Sequence, residues 1–418
     1  MTLVRNHLPP SSGNKWLIFV TIAGFLAACS PKLRPVVTYP KPVDPSAVKK
    51  DPVQPPAKPT PPQATVISLL LPFELNKIDL TKGAPKATLA KANLAMEYYQ
   101  GFKLALDSLS ADGRNFKLQV YDTQDAIARA HNLALETKIR TSSLIIGPVY
   151  PDQIKSFSLA SPNLNKMVVS PLSPASVLNY KNPHLITVMP PLEYHTWKAA
   201  EHINAKLKPK QVFVLKSGYS DDNKYSIPFK KAIDSLSKKK IKATELTVVR
   251  GNLTSLLLQF SKTEQNVFVI PSTDRAFLDV TLAALGKLQK QGYPITVFGH
   301  PSWEDASFLK LDLLQRLNVF ITSSDRVNYK SSFVSKFIKE YRKHYQAEPG
   351  EFAIKGFDEG MYFGDIASRN PTGVGEINLP DHTALHNTFH FVNVAGMGYI
   401  NTRVKLYKYT NFELKAVE

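Results

Sequence analysis

The stretch SSLIIGPVYPDQIKSFSLASPNLNKMVVSPLS, residues 142–173, decides the fold. It contains two short apolar runs, Leu144-Ile145-Ile146 and Met167-Val168-Val169, and a turn that contains proline follows each run. Residues 153–159, between them, have the pattern of a helix. Continuous apolar runs are typical of strands that are covered on both faces, and strands that alternate with helices form parallel sheets. The stretch therefore predicts a strand–helix–strand unit of an α/β protein.

The same alternation continues in both directions along the chain. Before the stretch, a strand is expected at 66–71, a helix near 94–109 and a strand at 116–121. After a helix that reaches residue 203, the series starts again, with strands expected at 212–215, 244–249, 267–270, 295–298 and 319–322. Two helices, near 333–345 and 351–368, and a hairpin over 389–409 complete the chain. The pattern predicts two doubly wound parallel-sheet lobes.

The N-terminus has the features of an export signal. A start with Arg5 and Lys15 precedes an apolar run, and the run ends in Leu26-Ala27-Ala28-Cys29. This pattern resembles the lipobox of bacterial lipoproteins. The resemblance implies a signal peptide over residues 1–28 and an acylated Cys29, which is the only cysteine of the chain. Ser30 follows it, and by the same resemblance this residue favours the periplasmic face of the outer membrane over the inner membrane.

Residues 29–63 form a proline-rich segment with little to bury. Such a composition favours an extended polyproline II spacer, which at ~3.1 Å per residue reaches on the order of 100 Å. We therefore expect a tether between the lipid anchor and a folded domain over residues 64–418.

The chain is strongly basic, with 52 lysines and arginines against 34 acidic residues and a formal net charge of +18. This excess favours anionic partners such as lipid head groups or acidic solutes, and it also serves solubility. The densest run, Lys238-Lys239-Lys240, is interpreted as the end of a solvated helix. Because the export signal directs the chain out of the cytoplasm and no recognition module is present, nucleic acid is not an expected partner.

Several phrases in order resemble the type I periplasmic binding proteins, the leucine/isoleucine/valine-binding family. They are the helix phrase 99–107, the strand 118–122 that ends in an aspartate, and the strand–turn phrases 144–148 and 168–173. The resemblance implies two lobes joined by a three-stranded hinge, with crossings expected near Pro190, Gly299 and Asp325. Lobe one is then expected over about 64–189 plus 300–325, and lobe two over about 190–299 plus 326–418.

The resemblance also implies a ligand in the cleft between the lobes, beyond the carboxyl ends of the strands. In amino-acid-binding members, hydroxyl groups on two turns hold the ligand carboxylate, and here Pro151 and Pro174 occupy the matching positions. Proline has neither a hydroxyl nor an N–H group, so neighbouring residues must take over. The candidate ligand-binding residues are Tyr150, Asp152, Ser170, Ser173, Tyr225, Ser272, Thr273, Trp303 and Glu304.

Two functions remain open at this point. The first is a membrane-anchored solute-binding lipoprotein that delivers a small polar ligand to an ABC-type permease or a sensor. The second is an envelope interaction module, similar to penicillin-binding-protein activator lipoproteins, that acts on a peptidoglycan synthase. The sequence contains no recognisable catalytic motif, so an enzyme is not expected, and neither are a cofactor or a metal. We expect a monomer.

Overall fold

The computed structural model describes residues 63–79, 81–373 and 377–417. The lipobox, Cys29 and most of the proline-rich segment lie outside these residues. Within them, no helix combines the length and the apolar character that crossing a bilayer requires.

The strands, in chain order, form two large sheets and one short ladder. They are β1 (Thr65–Leu71), β2 (Phe116–Asp122), β3 (Leu144–Ile146), β4 (Met167–Ser170), β5 (Leu185–Thr187), β6 (Gln211–Lys216), β7 (Lys242–Thr247), β8 (Asn266–Ile270), β9 (Ile295–Gly299), β10 (Val319–Ser323), β11 (His382–Thr383), β12 (Thr388–Phe389), β13 (Phe391–Val394), β14 (Gly398–Asn401), β15 (Lys405–Thr410) and β16 (Glu413–Ala416). The first sheet has the order β13-β14-β5-β4-β3-β1-β2, and the second has the order β16-β15-β10-β9-β8-β6-β7. The two sheets confirm the predicted α/β class with two mostly parallel sheets.

Helices cover the faces of the sheets. They are α1 (Lys86–Ala111), α2 (Ile127–Leu135), α3 (Thr137–Arg140), α4 (Pro151–Ala160), α5 (Leu192–His202), α6 (Asn223–Ser237), α7 (Arg275–Lys290), α8 (Leu311–Arg316), α9 (Ser332–Tyr345) and α10 (Glu351–Arg369). The central strands β3, β4, β8, β9 and β10 are buried along their whole length. This burial explains their continuous apolar sequences, because both faces of these strands are covered.

Helices α1 and α10 are the most closely packed pair in the first lobe. Gly101 on α1 and Gly356 on α10 lack a Cβ atom, and each lies against the backbone of the other helix. The hydroxyl of Tyr98 donates a 2.8 Å hydrogen bond to the buried Glu359 across the same contact. Because α10 comes late in the chain, this packing returns the polypeptide to the first lobe.

The expected lobe boundaries need a correction. The segment 300–325 was expected in lobe one, but β10 pairs in parallel with β9 and so extends the second sheet. The chain therefore does not cross at Gly299. Residues 326–418 were expected in lobe two, but α10 packs on α1, and β13 and β14 extend the first sheet. The first lobe consists of residues 63–188 and 332–401, and the second of residues 192–323 and 405–417. The three crossings are 188–191, 324–331 and 402–404, and the positions expected near Pro190 and Asp325 lie in the first two of these segments.

Candidate functional site

A short segment of chain joins the carboxyl ends of the two sheets. β14 runs parallel to β5, and Ile400 pairs with Thr187 at the carboxyl end of β5. Lys405 pairs with Ser323, the last residue of β10. Only residues 402–404 separate Asn401 from Lys405, so these two residues lie within roughly 14 Å of each other and the edges come close at this point. Because ligands in such folds bind beyond the carboxyl ends of strands, this meeting of edges is the candidate site.

On the first lobe, Tyr150 precedes α4 and is half-buried. Lys91 Nζ lies 5.8 Å from the centre of its ring, and Lys91 also forms an ion pair with Asp125. Burial and the Asp125 carboxylate raise the pKa of Tyr150, so its hydroxyl stays protonated at neutral pH. Asp152 is exposed in the first turn of α4. Tyr150 thus belongs to a polar group with Lys91 and Asp125, which the sequence did not reveal.

The two candidate serines at the end of β4 differ in their surroundings. Ser170 ends β4, and its Oγ atom is buried without a hydrogen-bond partner among the described residues. Ser173 is buried as well, but its Oγ accepts a 3.4 Å hydrogen bond from the Ala175 N–H group. Pro151 is the first residue of α4, where a missing N–H group costs nothing. The Ser170 hydroxyl is therefore the group on this turn that is left to bind something else.

The predicted aromatic residues of the second lobe lie in its hydrophobic core. Trp303 is 1% exposed, and its Nε1 donates a 3.0 Å hydrogen bond to the Ser272 carbonyl oxygen. The indole lies against Gly299, where a Cβ atom would be 2.3 Å from the ring. Tyr225 is also 1% exposed, and its ring centre lies 5.6 Å from that of His300. Ligand contact by either aromatic stays a prediction, while packing already accounts for Trp303.

The remaining predicted residues of the second lobe have local partners or face solvent. Ser272 Oγ accepts a 3.2 Å hydrogen bond from the Asp274 N–H group, in the turn before α7. Thr273 is exposed. Glu304 forms an ion pair of 2.5 Å with Arg326, a residue of the crossing 324–331. This pair joins the second lobe to the hinge, a role that the sequence did not indicate for Glu304.

A charged cluster at the crossing 324–331 was not predicted. Lys355 on α10 is 7% exposed, and its Nζ lies 2.9 Å from Asp325 and 3.0 Å from Glu351. Burial opposes the charge on Lys355, but Asp325 and Glu351 outweigh burial and raise its pKa. Burial also opposes the charge on Asp325, yet Lys355 outweighs it and lowers the pKa of that carboxyl. The ammonium group of Lys355, in the first lobe, thus forms an ion pair with the carboxylate of Asp325, in the crossing segment.

Histidines from both lobes lie beside this cluster. On the second lobe, His195 shares a 3.0 Å hydrogen bond with Thr322, and burial lowers its pKa to about 4. Burial likewise lowers the pKa of His300 to about 4. On the first lobe, His386 Nδ1 lies 2.5 Å from Asp358, and its Nε2 is buried without a partner among the described residues. The sequence signal that could have pointed here is Lys355 with acidic residues three and four positions away on the same helix, at Glu351, Asp358 and Glu359.

Comparisons with known proteins bear on the fold alone. No protein-family model and no curated protein matches this sequence. An ABC transporter substrate-binding protein from Desulfitobacterium hafniense, solved in complex with Leu, is 15% identical with a TM-score of 0.55, over 85% of this chain and all of that one. A putative branched-chain amino acid ABC transporter protein from Rhodospirillum rubrum is 12% identical with a TM-score of 0.60, over 85% of this chain and 100% of that one.

A third similar structure has a different role. The C-domain of LpoA from Haemophilus influenzae, described as a regulator of PBP1A, is 13% identical with a TM-score of 0.56, over 84% of this chain and 100% of that domain. The structural neighbours are mostly type I periplasmic binding proteins, and this chain has their fold.

Proposed function

We propose that this chain, folded as a type I periplasmic binding protein, is an extracytoplasmic lipoprotein that binds a small polar solute between its lobes. The observation that carries the proposal is the approach of two carboxyl edges, each with a buried hydroxyl that has no hydrogen-bond partner in the part of the chain that the structure describes. These hydroxyls are Ser170 Oγ on β4 and Ser323 Oγ on β10. A buried polar group without a partner costs free energy, so a ligand that gives either hydroxyl a hydrogen bond gains affinity.

The contacts between the two lobes suit a protein whose lobes move relative to each other. The polar contacts that we find between the lobes run through the crossings, as in Lys355–Asp325 and Arg326–Glu304. Lobes that are joined by a few short segments close around ligands by changes at those segments. The solute would then pass to an ABC-type permease or a sensor, and Cys29 would anchor the chain, by our proposal at the outer membrane.

The test starts with the protein as purified. Native mass spectrometry should show a bound small molecule, and thermal unfolding with a panel of amino acids, short peptides and organic acids should identify its class. A ligand at a hundred times its Kd stabilises the folded state by about 2.7 kcal/mol, which such a scan detects easily. The absence of any bound molecule and of any shift would contradict the proposal.

Two variants test whether the ligand binds at the carboxyl edges of the sheets. Ser170→Ala and Ser323→Ala each remove one unpartnered hydroxyl, and we expect each to weaken the ligand-induced shift without loss of stability in the free protein. Thr281→Val is the matched control, because Thr281 Oγ1 is also buried without a partner but lies in the middle of α7, away from the carboxyl edge. An equal effect of the control would rule out a site at the edges.

A second function is favoured by specific residues. The hydroxyl positions of the amino-acid-binding family are Pro151 and Pro174, and Tyr225 and Trp303 lie in the core. These features suit an interaction module that has kept the fold without the ligand, and one structural neighbour is a regulator of a penicillin-binding protein. In that case the chain would bind a peptidoglycan synthase. A solute-free protein that raises the rate of a purified synthase would establish this function instead.

A further inference from the structure

The end of the second lobe opposite the carboxyl edge is densely cationic. The segments 206–210 and 238–242 together contain seven lysines and no acidic residue. All seven side chains are exposed. They are Lys206, Lys208, Lys210, Lys238, Lys239, Lys240 and Lys242, and we call this surface the lysine pole.

Pairing of β6 with β7 brings the two segments together. Gln211 is in register with Lys242, and the Lys242 N–H group donates a 3.0 Å hydrogen bond to the Lys210 carbonyl oxygen. Behind them, Asn204 Nδ2 donates a 3.2 Å hydrogen bond to the Leu236 carbonyl oxygen. The lysines are therefore neighbours in space although about thirty residues separate them in sequence, which is a sign of one continuous charged surface.

Three of these lysines occupy backbone conformations that favour glycine. Lys208, Lys238 and Lys239 have φ angles of 47°, 50° and 60°. The left-handed region is unfavourable for a residue with a Cβ atom, and glycine is usual just after a helix. A cation also complements a helix C-terminus, but that effect falls off within the last turn and does not account for seven lysines in the two segments. Lysine thus occupies these three positions although glycine would fit the backbone conformation better.

A fully exposed leucine lies on the turn beside the lysine pole. Leu258 is 100% exposed, and the next residue, Gln259, accepts a 3.0 Å hydrogen bond from Gln211 Nε2. In the loop that follows, before β8, Glu264 forms a 3.1 Å ion pair with Lys210. Surfaces that bind membranes combine cations, which bind anionic head groups, with an apolar side chain that enters the interface.

We propose that the lysine pole docks the second lobe onto the surface of an anionic lipid bilayer. The two segments contain no arginine, so they lack the rigid fork that recognises a single phosphate, whereas clustered lysines suit a diffuse field of charge. Leu258 distinguishes a bilayer from a soluble polyanion, which would gain nothing from an exposed leucine. The pole lies at the amino ends of β6 and β7, so docking leaves the carboxyl edge and its candidate site accessible.

The test measures binding of the full chain to vesicles. Every protein variant in the test also carries Cys29→Ser, so that no acyl chain contributes to binding. Phosphatidylcholine vesicles are compared with vesicles that also contain phosphatidylglycerol, which isolates the effect of negative charge. We expect stronger sedimentation with the anionic vesicles. The triple substitution Lys208→Gly, Lys238→Gly and Lys239→Gly should remove most of that difference, roughly a hundredfold in affinity for three lysines near the surface. Its unfolding temperature should stay level or rise, because glycine relieves the left-handed backbone.

Matched controls distinguish the effect of the lysine pole from the effect of removing any exposed lysine. Lys181 on the first lobe is exposed and has a φ angle of 50°, so Lys181→Gly makes the same change outside the pole and should bind like the parent chain. Leu258→Ser should weaken binding to anionic vesicles but not to soluble polyphosphate. If the triple variant fails to fold, Lys206→Gln with Lys242→Gln takes its place.

Three results would overturn the proposal. They are no preference of the parent chain for anionic vesicles, an equal loss in Lys181→Gly, and tight binding to polyphosphate with no binding to vesicles. The last result would assign the lysine pole to a soluble or glycan-borne polyanion.

Discussion

The contact between α1 and α10 allows a prediction whose magnitude follows from one distance. Gly356→Ala would place a Cβ atom 2.1 Å from the carbonyl oxygen of Tyr98. An ordinary contact between carbon and oxygen needs about 3.3 Å, so the two helices must separate by about 1 Å. Neither atom can turn away, because one is the new Cβ and the other is backbone.

The expected cost is the difference between two effects. Overpacking costs about 1–3 kcal/mol and occasionally more, and a clash with backbone belongs at the upper end. Alanine in a helix recovers about 1 kcal/mol relative to glycine. We therefore expect Gly356→Ala to lower the free energy of unfolding by about 2 kcal/mol, and to lower the Tm by roughly 4–8 °C for a lobe of this size.

Gly286→Ala is the matched control for this prediction. Gly286 is also inside a helix, α7, but a Cβ atom there would meet only the end of the flexible Leu313 side chain, at 2.8 Å. This variant should stay within about 1 kcal/mol of the parent protein. Denaturant titration and calorimetry measure both variants, and equal stabilities would refute the reasoning from backbone contact.

Further predictions concern the hinge and its histidines. His195 has a pKa of about 4 in the fold and 6.5 when unfolded, so the unfolded chain binds the extra proton between these values and stability falls as pH drops from 6.5 to 4, by about 3 kcal/mol. His195→Gln should flatten this fall in denaturant titrations at pH 7 and pH 4.5, and an unchanged slope would contradict the assignment. Asp325→Asn leaves Lys355 with the exposed Glu351 alone and should destabilise the fold by about 2 kcal/mol at neutral pH. The fold lowers the pKa of Asp325, so the contribution of this carboxylate to stability is complete above its pKa in the unfolded chain. That contribution is lost as the pH falls through its pKa in the folded protein. The stability difference between Asp325→Asn and the parent chain should therefore shrink below about pH 4, and a constant difference would count against the ion pair. Cys29→Ser should move the chain from the membrane fraction to the soluble fraction of cells, and an unchanged distribution would argue against acylation.

Much of the fold was predictable because the strands are short, apolar and separated by helices. Val319–Ser323 was correctly expected as a strand, but its sheet was not, since a buried strand has the same sequence pattern in either sheet. The tail shows the same limit. One hairpin over 389–409 was expected, whereas the chain changes lobe at 402–404 and forms a hairpin in each sheet.

The candidate site was predictable only in outline. The turns after β3 and β4 were located correctly, and Ser170 remains a candidate there because its hydroxyl has no partner. Trp303 and Tyr225 were selected as aromatics near a cleft, and the structure places both in the core. The cluster around Asp325 escaped notice because Lys355 and His386 join it from parts of the chain that are distant in sequence.

By itself, the sequence determined the alternation of strands and helices, the existence of two lobes and the turns after β3 and β4, because hydrophobic periodicity and proline act locally. Tertiary structure alone decided which sheet receives β10, which lysines form one surface and which polar groups lie unpartnered at the carboxyl edges. These outcomes depend on pairings between segments far apart in the chain, such as β9 with β10 and β6 with β7, and no local pattern encodes a pairing partner.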